Sequence, residues 1–170
     1  MLARDNSVIT DLFCGQLMSK TICTHCSNES LAFDNFWDLA LSFTKNSRPH
    51  LSEMLEQFLK EEMLEDLFYC EKCKVRRKSK KQFVIWRLPN ILVIQLKRFE
   101  YTQYRRDKIN KSVTFPVSSF DLRQFTKESS KEIYVSVSKF KGDPSVRDSK
   151  YTLFGIVNHG GSLYGGHYTA

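Results

Sequence analysis

The sequence predicts an α+β fold in which a sheet of several short strands accompanies one amphipathic helix. Three observations lead to this prediction: a stretch with helical spacing of apolar residues, several short runs rich in β-branched and aromatic residues, and two pairs of closely spaced cysteines. The chain has 170 residues, of which 41% are hydrophobic and 26% charged, as in one globular domain. No run approaches the about 20 apolar residues that a membrane-spanning helix needs, so no membrane partner is expected.

The helix is predicted from residue 51, where apolar side chains recur every three or four positions and would line one face. These residues are Leu51, Met54, Leu55, Phe58, Leu59 and Met63. Pro49 precedes the stretch, and Glu53 and Glu56 put negative charge in the first turns, where the helix dipole favours it. We therefore expect a surface helix that packs along one side.

Strands are predicted after the second cysteine pair, over 82–86 and 91–99, with a turn at 87–90 between them. Residues 91–96 are apolar on both faces, which suits a central strand covered on each side. The polar residues 100–110 are expected to form a long loop. Residues 113–116 predict a short strand that ends at a proline.

The C-terminal part predicts further strands around a glycine-rich segment. Alternating residues predict a half-buried strand over 133–140, followed by a turn or insertion over 141–150. Another strand is expected over 151–158, and a last one begins at Tyr168. The four glycines of 160–166 between them predict a loop. Because the chain stops within the last predicted strand, we expect a segment of a larger fold.

Charge is distributed unevenly along the chain. The formal net charge is +7, and residues 70–81, the basic strip, hold seven Lys or Arg against one Glu, whereas residues 50–69 hold six acidic residues against one Lys. We interpret this pattern as a solvated surface with local ion pairs. A zinc-ribbon nucleic-acid interface is the alternative. It is disfavoured because no aromatic residue interrupts the basic strip, so no nucleic-acid partner is expected.

Four of the five cysteines form two CxxC pairs with 43 residues between them: Cys23 and Cys26, then Cys70 and Cys73. Two such turns supply the four-sulfur shell that Zn²⁺ prefers. The N-terminus does not resemble a secretory signal, so we expect an intracellular, cytoplasmic or nuclear, compartment where disulfides do not persist. The pattern favours structural zinc over free buried cysteines. A thioredoxin-like role is disfavoured because neither pair lies in a βαβ pattern.

Two histidines flank the glycine-rich segment and are candidates for proton transfer. His167 follows Gly165 and Gly166 and precedes Tyr168, so a strand would hold the imidazole while the glycines let an extended substrate approach. Such a histidine can act as general base toward a nucleophile positioned elsewhere. His159 lies at the other end of the segment, and spacing alone does not choose between the two.

A series of sequence blocks then occurs in a recognisable order. The blocks are Phe13–Leu17, the first CxxC pair, Phe36–Leu41, Tyr69–Cys73, Leu88–Leu92, Leu96–Phe99, Lys108–Ile109 with Phe115–Pro116, and Asn158–Gly160 with Gly165–Ala170. Over about residues 12–170 this order resembles the ubiquitin-specific proteases, which are papain-like cysteine deubiquitinases.

The resemblance implies the papain-like right-hand fold of that family, with an antiparallel-rich palm sheet and zinc-ribbon fingers. About residues 12–86 would form the fingers and about 87–170 the palm with its histidine box. Residues 100–108 and 160–166 correspond to two loops beside the substrate's tail. The thumb, the N-terminal cysteine box and the C-terminal end of the family domain are expected to be missing.

The resemblance also assigns the site residues. The structural zinc ligands would be Cys23, Cys26, Cys70 and Cys73. The catalytic histidine would be His167, and the residues beside the C-terminal tail of ubiquitin would be Gly165, Gly166, Tyr168 and His159.

The implied function is removal of ubiquitin from protein conjugates by a thiol-dependent peptidase, with ubiquitin and ubiquitinated proteins as partners. Cys14 does not match the family's nucleophile, and the third triad residue has no counterpart. We therefore expect the chain alone to be inactive, because loss of a triad member removes most of the rate. The alternative is a non-catalytic zinc module that binds ubiquitin or another partner.

Overall fold

The computed structural model describes residues 7–101, 106–126, 149–162 and 164–170. In chain order its elements are α1 (Val8–Phe13), β1 (Gly15–Cys23), β2 (Glu29–Phe36), β3 (Leu39–Leu41), α2 (Leu51–Leu59), β4 (Glu62–Met63), β5 (Phe68–Cys70), β6 (Val75–Arg77), β7 (Ser79–Arg87), β8 (Ile94–Leu96), β9 (Phe99–Tyr101), β10 (Arg106–Lys108), β11 (Phe120–Asp121), a 3₁₀ turn (Arg123–Phe125), β12 (Lys150–Tyr151), β13 (Asn158–Ser162) and β14 (Gly165–Thr169). This sheet-rich mixture with few helices agrees with the predicted α+β class.

The largest sheet in the described part of the chain has four antiparallel strands in the order β2-β1-β7-β4. Leu17 lies opposite Ile85, and their side chains join the main core with Met54 and Leu55 of α2. The adjacent Met18, which lies opposite Val84, is buried in a second cluster on the other face. The two middle strands, β1 and β7, are therefore covered on both sides.

The prediction that residues 91–96 form the central strand is wrong. Only Ile94–Leu96 is a strand, and among the described residues β8 pairs in parallel with β3 alone. The Gln95 side chain is exposed, and its two neighbours are half-buried. The predicted strand over 82–86 is confirmed within the longer β7, but it pairs with β1 and β4 instead of forming a hairpin with β8.

The helix begins as predicted but ends earlier. His50 caps it: its Nδ1 accepts the Ser52 N–H at 3.2 Å, while the Glu53 carboxylate accepts the His50 N–H at 3.2 Å, which satisfies two backbone donors of the first turn. The backbone becomes extended at Lys60, with ψ 142°. Met63 lies in β4, opposite Lys80, and does not belong to the helix, because pairing with β7 replaces a further helical turn.

Several predicted loops and strands differ from the structure. The predicted loop over 100–110 contains the strands of a β9–β10 hairpin, and the predicted strand over 113–116 is reduced to one bridge between Thr114 and His50. Residues 152–157 are exposed and are not a strand. The strand predicted over 133–140 and most of the turn over 141–150 lie outside the described residues.

The glycine-rich segment is a hairpin, not a loop. Strands β13 and β14 pair from Asn158 with Thr169 to Ser162 with Gly165, so the turn between them is short. Gly161 has φ +123°, a conformation that L side chains rarely adopt, which explains a glycine at this position. No helix among the described residues is long and apolar enough to cross a membrane.

The position at which α2 ends leads to a prediction about the free energy of unfolding. Leu55→Ala should lower the free energy of unfolding by about 2–5 kcal/mol, because the Leu55 side chain is fully buried and leaves a cavity. Met63→Ala should change it by less than about 0.5 kcal/mol, because the Met63 side chain is 50% exposed. Urea unfolding of both variants measures the difference. Equal losses would mean that Met63 packs in the core with the helix.

The hydrogen bonds of Asp121 lead to a prediction about how the free energy of unfolding depends on pH. Its Oδ1 accepts the Ser149 hydroxyl at 2.6 Å and the Arg123 N–H at 2.9 Å, and these hydrogen bonds hold the pKa of Asp121 below its ordinary 3.8. A lowered pKa in the folded state stabilises the fold above the ordinary pKa, and this stabilisation is lost as the pH falls through the lowered value. As the pH falls below about 4, the free energy of unfolding of Asp121→Asn should therefore decrease less than that of the parent chain.

The measurement is the urea midpoint as a function of pH for the parent chain and Asp121→Asn. Asp66→Asn, which alters an exposed carboxylate elsewhere on the surface, is the matched control and should keep the parent profile. An unchanged acid limb in Asp121→Asn would contradict the prediction.

Candidate functional site

The fold brings the two cysteine pairs together at one end of the main sheet. Strand β1 ends at Cys23, which lies opposite Ser79 at the start of β7. The β5–β6 hairpin, which carries the second pair, directly precedes β7. Thr24 reinforces this junction, because its N–H and its hydroxyl both donate to the Lys78 carbonyl, at 3.1 and 2.9 Å. The register of β1 with β7 therefore closes the gap between the pairs.

The four sulfurs have the spacing of a metal centre. The Sγ atoms of Cys23, Cys26, Cys70 and Cys73 all lie within 4.8 Å of one another. Those of Cys26 and Cys70 are 3.5 Å apart. A tetrahedral zinc site with bonds of about 2.3 Å places its sulfurs about 3.8 Å apart. The cluster therefore fits a closed four-sulfur shell, as the sequence predicted.

The two CxxC turns have the same backbone geometry. The residue after each pair is left-handed, with φ 55° at Ser27 and 57° at Lys74. Its N–H donates to the carbonyl of the first cysteine, at 2.9 Å to Cys23 and 2.8 Å to Cys70. Two turns of one shape thus present two sulfurs each to a common centre.

The pKa values of the two thiols in the second pair are shifted in opposite directions. The Cys73 N–H, which donates to the Cys70 Sγ at 3.4 Å, lowers the pKa of Cys70 to about 7 against the effect of burial. Contact with the Cys26 side chain, with burial in addition, raises the pKa of Cys73 to about 12. Hydrogen bonds thus favour the thiolate of Cys70, while crowding by the other sulfurs favours the protonated thiol of Cys73. A dication would remove this conflict by replacing the protons.

The basic strip contains two of the four clustered cysteines and is partly ion-paired. Lys80 contacts the Glu61 carboxylate at 2.8 Å, and Lys74 contacts that of Glu71 at 3.1 Å. These pairs support the interpretation of the strip as a solvated surface with local ion pairs. His25, to which sequence reasoning gave no role, places its Nδ1 3.7 Å from the Cys73 Sγ.

All the C-terminal site residues predicted from the sequence lie on the β13–β14 hairpin. His159 is opposite Tyr168, and Gly160 is opposite His167. Because opposite residues share a face and successive residues alternate, His159 and His167 point to opposite faces of the hairpin. The structure therefore brings these residues onto one element but separates the two candidate histidines.

The His159 ring packs against aromatic side chains and contacts a lysine ammonium group. The imidazole is half-buried between Phe99 and Tyr168, with ring centroids at 5.8 and 4.7 Å, and its Nδ1 lies 3.2 Å from the Lys108 ammonium nitrogen. A Cβ at Gly166 would collide with the His159 Nε2, so only glycine fits beneath the ring. The His159 ring is therefore held in place by its neighbours, as expected for a residue with a structural role.

His167 is exposed and accessible. Its imidazole makes no hydrogen bond or ion pair with any residue that the structure describes. Gly165 lies on the same face, and a Cβ placed there would meet nothing within 4 Å. This open face gives a polypeptide room to lie beside the exposed His167 imidazole.

Sequence reasoning missed one residue of this site. Lys108, which belongs to β10, donates to the His159 carbonyl at 2.7 Å and to the Gly161 carbonyl at 3.0 Å, as well as lying beside the ring. Its place in the Lys108–Ile109 block was visible, but a lysine in a segment of charged residues carries no signal of its partners on β13. Cys14, the fifth cysteine, is 5% exposed and contacts the Gly15 carbonyl at 3.5 Å, away from the cluster.

Comparisons with known proteins agree with this geometry. The family model described as ubiquitin carboxyl-terminal hydrolase matches residues 1–170. The chain is 40% identical to ubiquitin carboxyl-terminal hydrolase Usp2 of Drosophila melanogaster over 168 residues, 98% of this chain and 16% of the relative. It is 38% identical to ubiquitin carboxyl-terminal hydrolase 2 of Homo sapiens over 173 residues, 99% of this chain and 26% of the relative.

Among solved structures, a chain of the SAGA Ubp8/Sgf11/Sus1/Sgf73 DUB module bound to ubiquitin aldehyde is similar, with a TM-score of 0.75 and 30% identity over 97% of this chain and 34% of that chain. The chain thus spans about a quarter or less of these curated relatives and about a third of the solved one. On the family match and these identities, the chain belongs to the ubiquitin carboxyl-terminal hydrolase family, among the ubiquitin-specific proteases.

Proposed function

We propose that this chain supplies the proton-transfer histidine and the zinc ribbon of a cysteine-type deubiquitinase that removes ubiquitin from protein conjugates. The observation that carries the proposal is the exposed His167 imidazole beside the open face of Gly165, on a hairpin of a chain in this family. His159 is the poorer candidate for proton transfer, because its Nδ1 faces an ammonium group.

In the proposed reaction a cysteine thiolate attacks the carbonyl carbon of the C-terminal glycine of ubiquitin. His167 accepts the thiol proton and delivers it to the leaving amine as the carbon–nitrogen bond breaks. Water, deprotonated by the same imidazole, then hydrolyses the thioester and restores the thiol. Of the five cysteines, four form the cluster and Cys14 is buried, so the proposal assigns the attacking thiolate to a segment outside these 170 residues.

The substrate tail would lie on the glycine hairpin. Gly165 leaves room on the His167 face, whereas Tyr168, which is 67% exposed, and Gly166, which fits closely against His159, line the opposite face of the hairpin. Small residues at these positions let an extended Gly-Gly tail approach the backbone, which a larger side chain would prevent. His159 would support the channel from the opposite face.

The remaining parts of the proposal follow the family architecture. About residues 12–86 would be the fingers and about 87–170 the palm, acting inside cells on ubiquitin and ubiquitinated proteins. The four cysteines would hold structural Zn²⁺, which when bound cross-links β1 to the β5–β6 hairpin through a closed shell with no place for an activated water. The similar solved chain belongs to an assembly bound to ubiquitin aldehyde, which supports ubiquitin as the partner.

The role of His167 is tested in the longer protein that contains this chain. His167→Ala should lower kcat/KM for a ubiquitin C-terminal amide by roughly 10³–10⁴-fold or more, because the thiol loses its base. His50→Asn is the matched control: it alters a histidine but keeps a helix-capping residue, so turnover should persist. Full turnover by His167→Ala would reject the catalytic assignment. Ubiquitin binding without any turnover in the parent would favour the non-catalytic module.

The metal centre is tested on the chain itself. Protein purified under reducing conditions should contain one zinc per chain, and Cys70→Ser should lose it, because three sulfurs no longer close the shell. Cys14→Ser should keep its zinc, since that thiol lies outside the cluster. Elemental analysis and cobalt substitution spectra measure both variants. A zinc-free parent, or equal loss in the two variants, would contradict the site.

A further inference from the structure

One ammonium group joins the two hairpins of the candidate site. Lys108 lies in β10, opposite Phe99 of β9, and its Nζ reaches three acceptors of β13. These acceptors are the His159 Nδ1 at 3.2 Å, the His159 carbonyl at 2.7 Å and the Gly161 carbonyl at 3.0 Å. A lysine ammonium has three N–H donors and no acceptor, so the three contacts use its full hydrogen-bonding capacity.

This arrangement fixes the proton of the His159 ring. Because the ammonium can only donate, the Nδ1 must carry a lone pair, and the proton of a neutral imidazole must then lie on Nε2. A doubly protonated ring would instead direct an N–H at the ammonium. The Nε2 side is closed by Gly166, where no side chain fits.

The glycine hairpin has few other anchors among the described residues. Its strands pair with each other and with no other described strand, and apart from His159 their described side chains are exposed. A two-stranded hairpin is marginally stable in water without further packing. The contacts of Lys108, with the packing of the His159 ring against Phe99, are what attach it to β9 and β10.

We propose that Lys108 is a positioning residue of the candidate active site. It attaches the β13–β14 hairpin to β9–β10, and it holds His159 as the neutral Nε2-H tautomer so that His167, on the other face, is the histidine left to transfer protons. The part concerning His167 rests on the proposed function. The attachment and the tautomer do not depend on it.

The full chain, labelled with ¹⁵N, tests the attachment without substrate. In the parent, the His159 ring should show an unprotonated, hydrogen-bonded Nδ1 and a protonated Nε2. Lys108→Met keeps the aliphatic stem but removes the donors, so the Nδ1 signal should shift and amide exchange in 158–169 should accelerate about tenfold or more. Lys111→Met is the matched control: its ammonium binds the Thr44 carbonyl at 3.0 Å and contacts no part of the hairpin.

Lys108→Arg separates geometry from charge. A planar guanidinium cannot aim donors from one point at three converging acceptors, so it should fail to restore the parent ring signal and exchange rates. Full restoration by arginine would overturn the three-contact geometry. Unchanged ring signals and exchange in Lys108→Met, or equal changes in Lys111→Met, would overturn the attachment.

Turnover in the longer protein tests the consequence for catalysis. Lys108→Met should lower kcat by about tenfold to a hundredfold with a smaller change in KM, because a displaced hairpin misplaces the imidazole. Altered ring signals with unchanged turnover would reject the catalytic consequence alone. If His167→Ala retains turnover while Lys108→Met alters the ring signals and exchange, the proposed function fails and the attachment stands.

Discussion

The antiparallel pairing of β1 with β7 is the constraint on which the other features depend. It places Leu17 opposite Ile85 on the core face and Met18 opposite Val84 on the other, so both faces of the sheet centre are apolar and covered. The same register, continued to its end, sets Cys23 opposite Ser79 and brings the second cysteine pair beside the first. A slip of one residue would exchange the two faces and separate the sulfurs, so core packing and the four-cysteine cluster require the same register.

Features set by local chemistry were predictable from the sequence, and those set by a distant partner were not. The start of α2, the strand within β7 and the two cysteine pairs depend on spacing within a few residues. Met63 continued the helical pattern, but its backbone pairs with Lys80 instead. Residues 91–96 were apolar enough for a central strand, yet the central positions belong to β1 and β7, whose pairing with each other the sequence does not reveal. The convergence of the four cysteines could be expected because two CxxC pairs, unlike an apolar pattern, are almost specific to one kind of site.

The two histidines show the same limit within the candidate site. They are eight positions apart, and as residues of one loop they had no assignable relation. Once β13 and β14 pair, the alternation of side chains decides that His159 and His167 occupy opposite faces. One face then offers Lys108 and two aromatic rings, and the other offers open space beside Gly165. The two histidines are the same residue type, but the strand register gives them different environments.

The glycines that would admit a substrate in the proposed function also weaken the hairpin that carries His167. Each glycine costs more backbone entropy on ordering than other residues and adds no side chain to pack, and β13–β14 contains four of them. Substituting them for stability is blocked at Gly161 by its positive φ and at Gly166 by the His159 ring. An anchor must therefore come from outside the hairpin and bind backbone carbonyls, because the glycines offer nothing else. A long side chain with a compact three-donor head meets that requirement, which is the physical reason for a lysine at position 108.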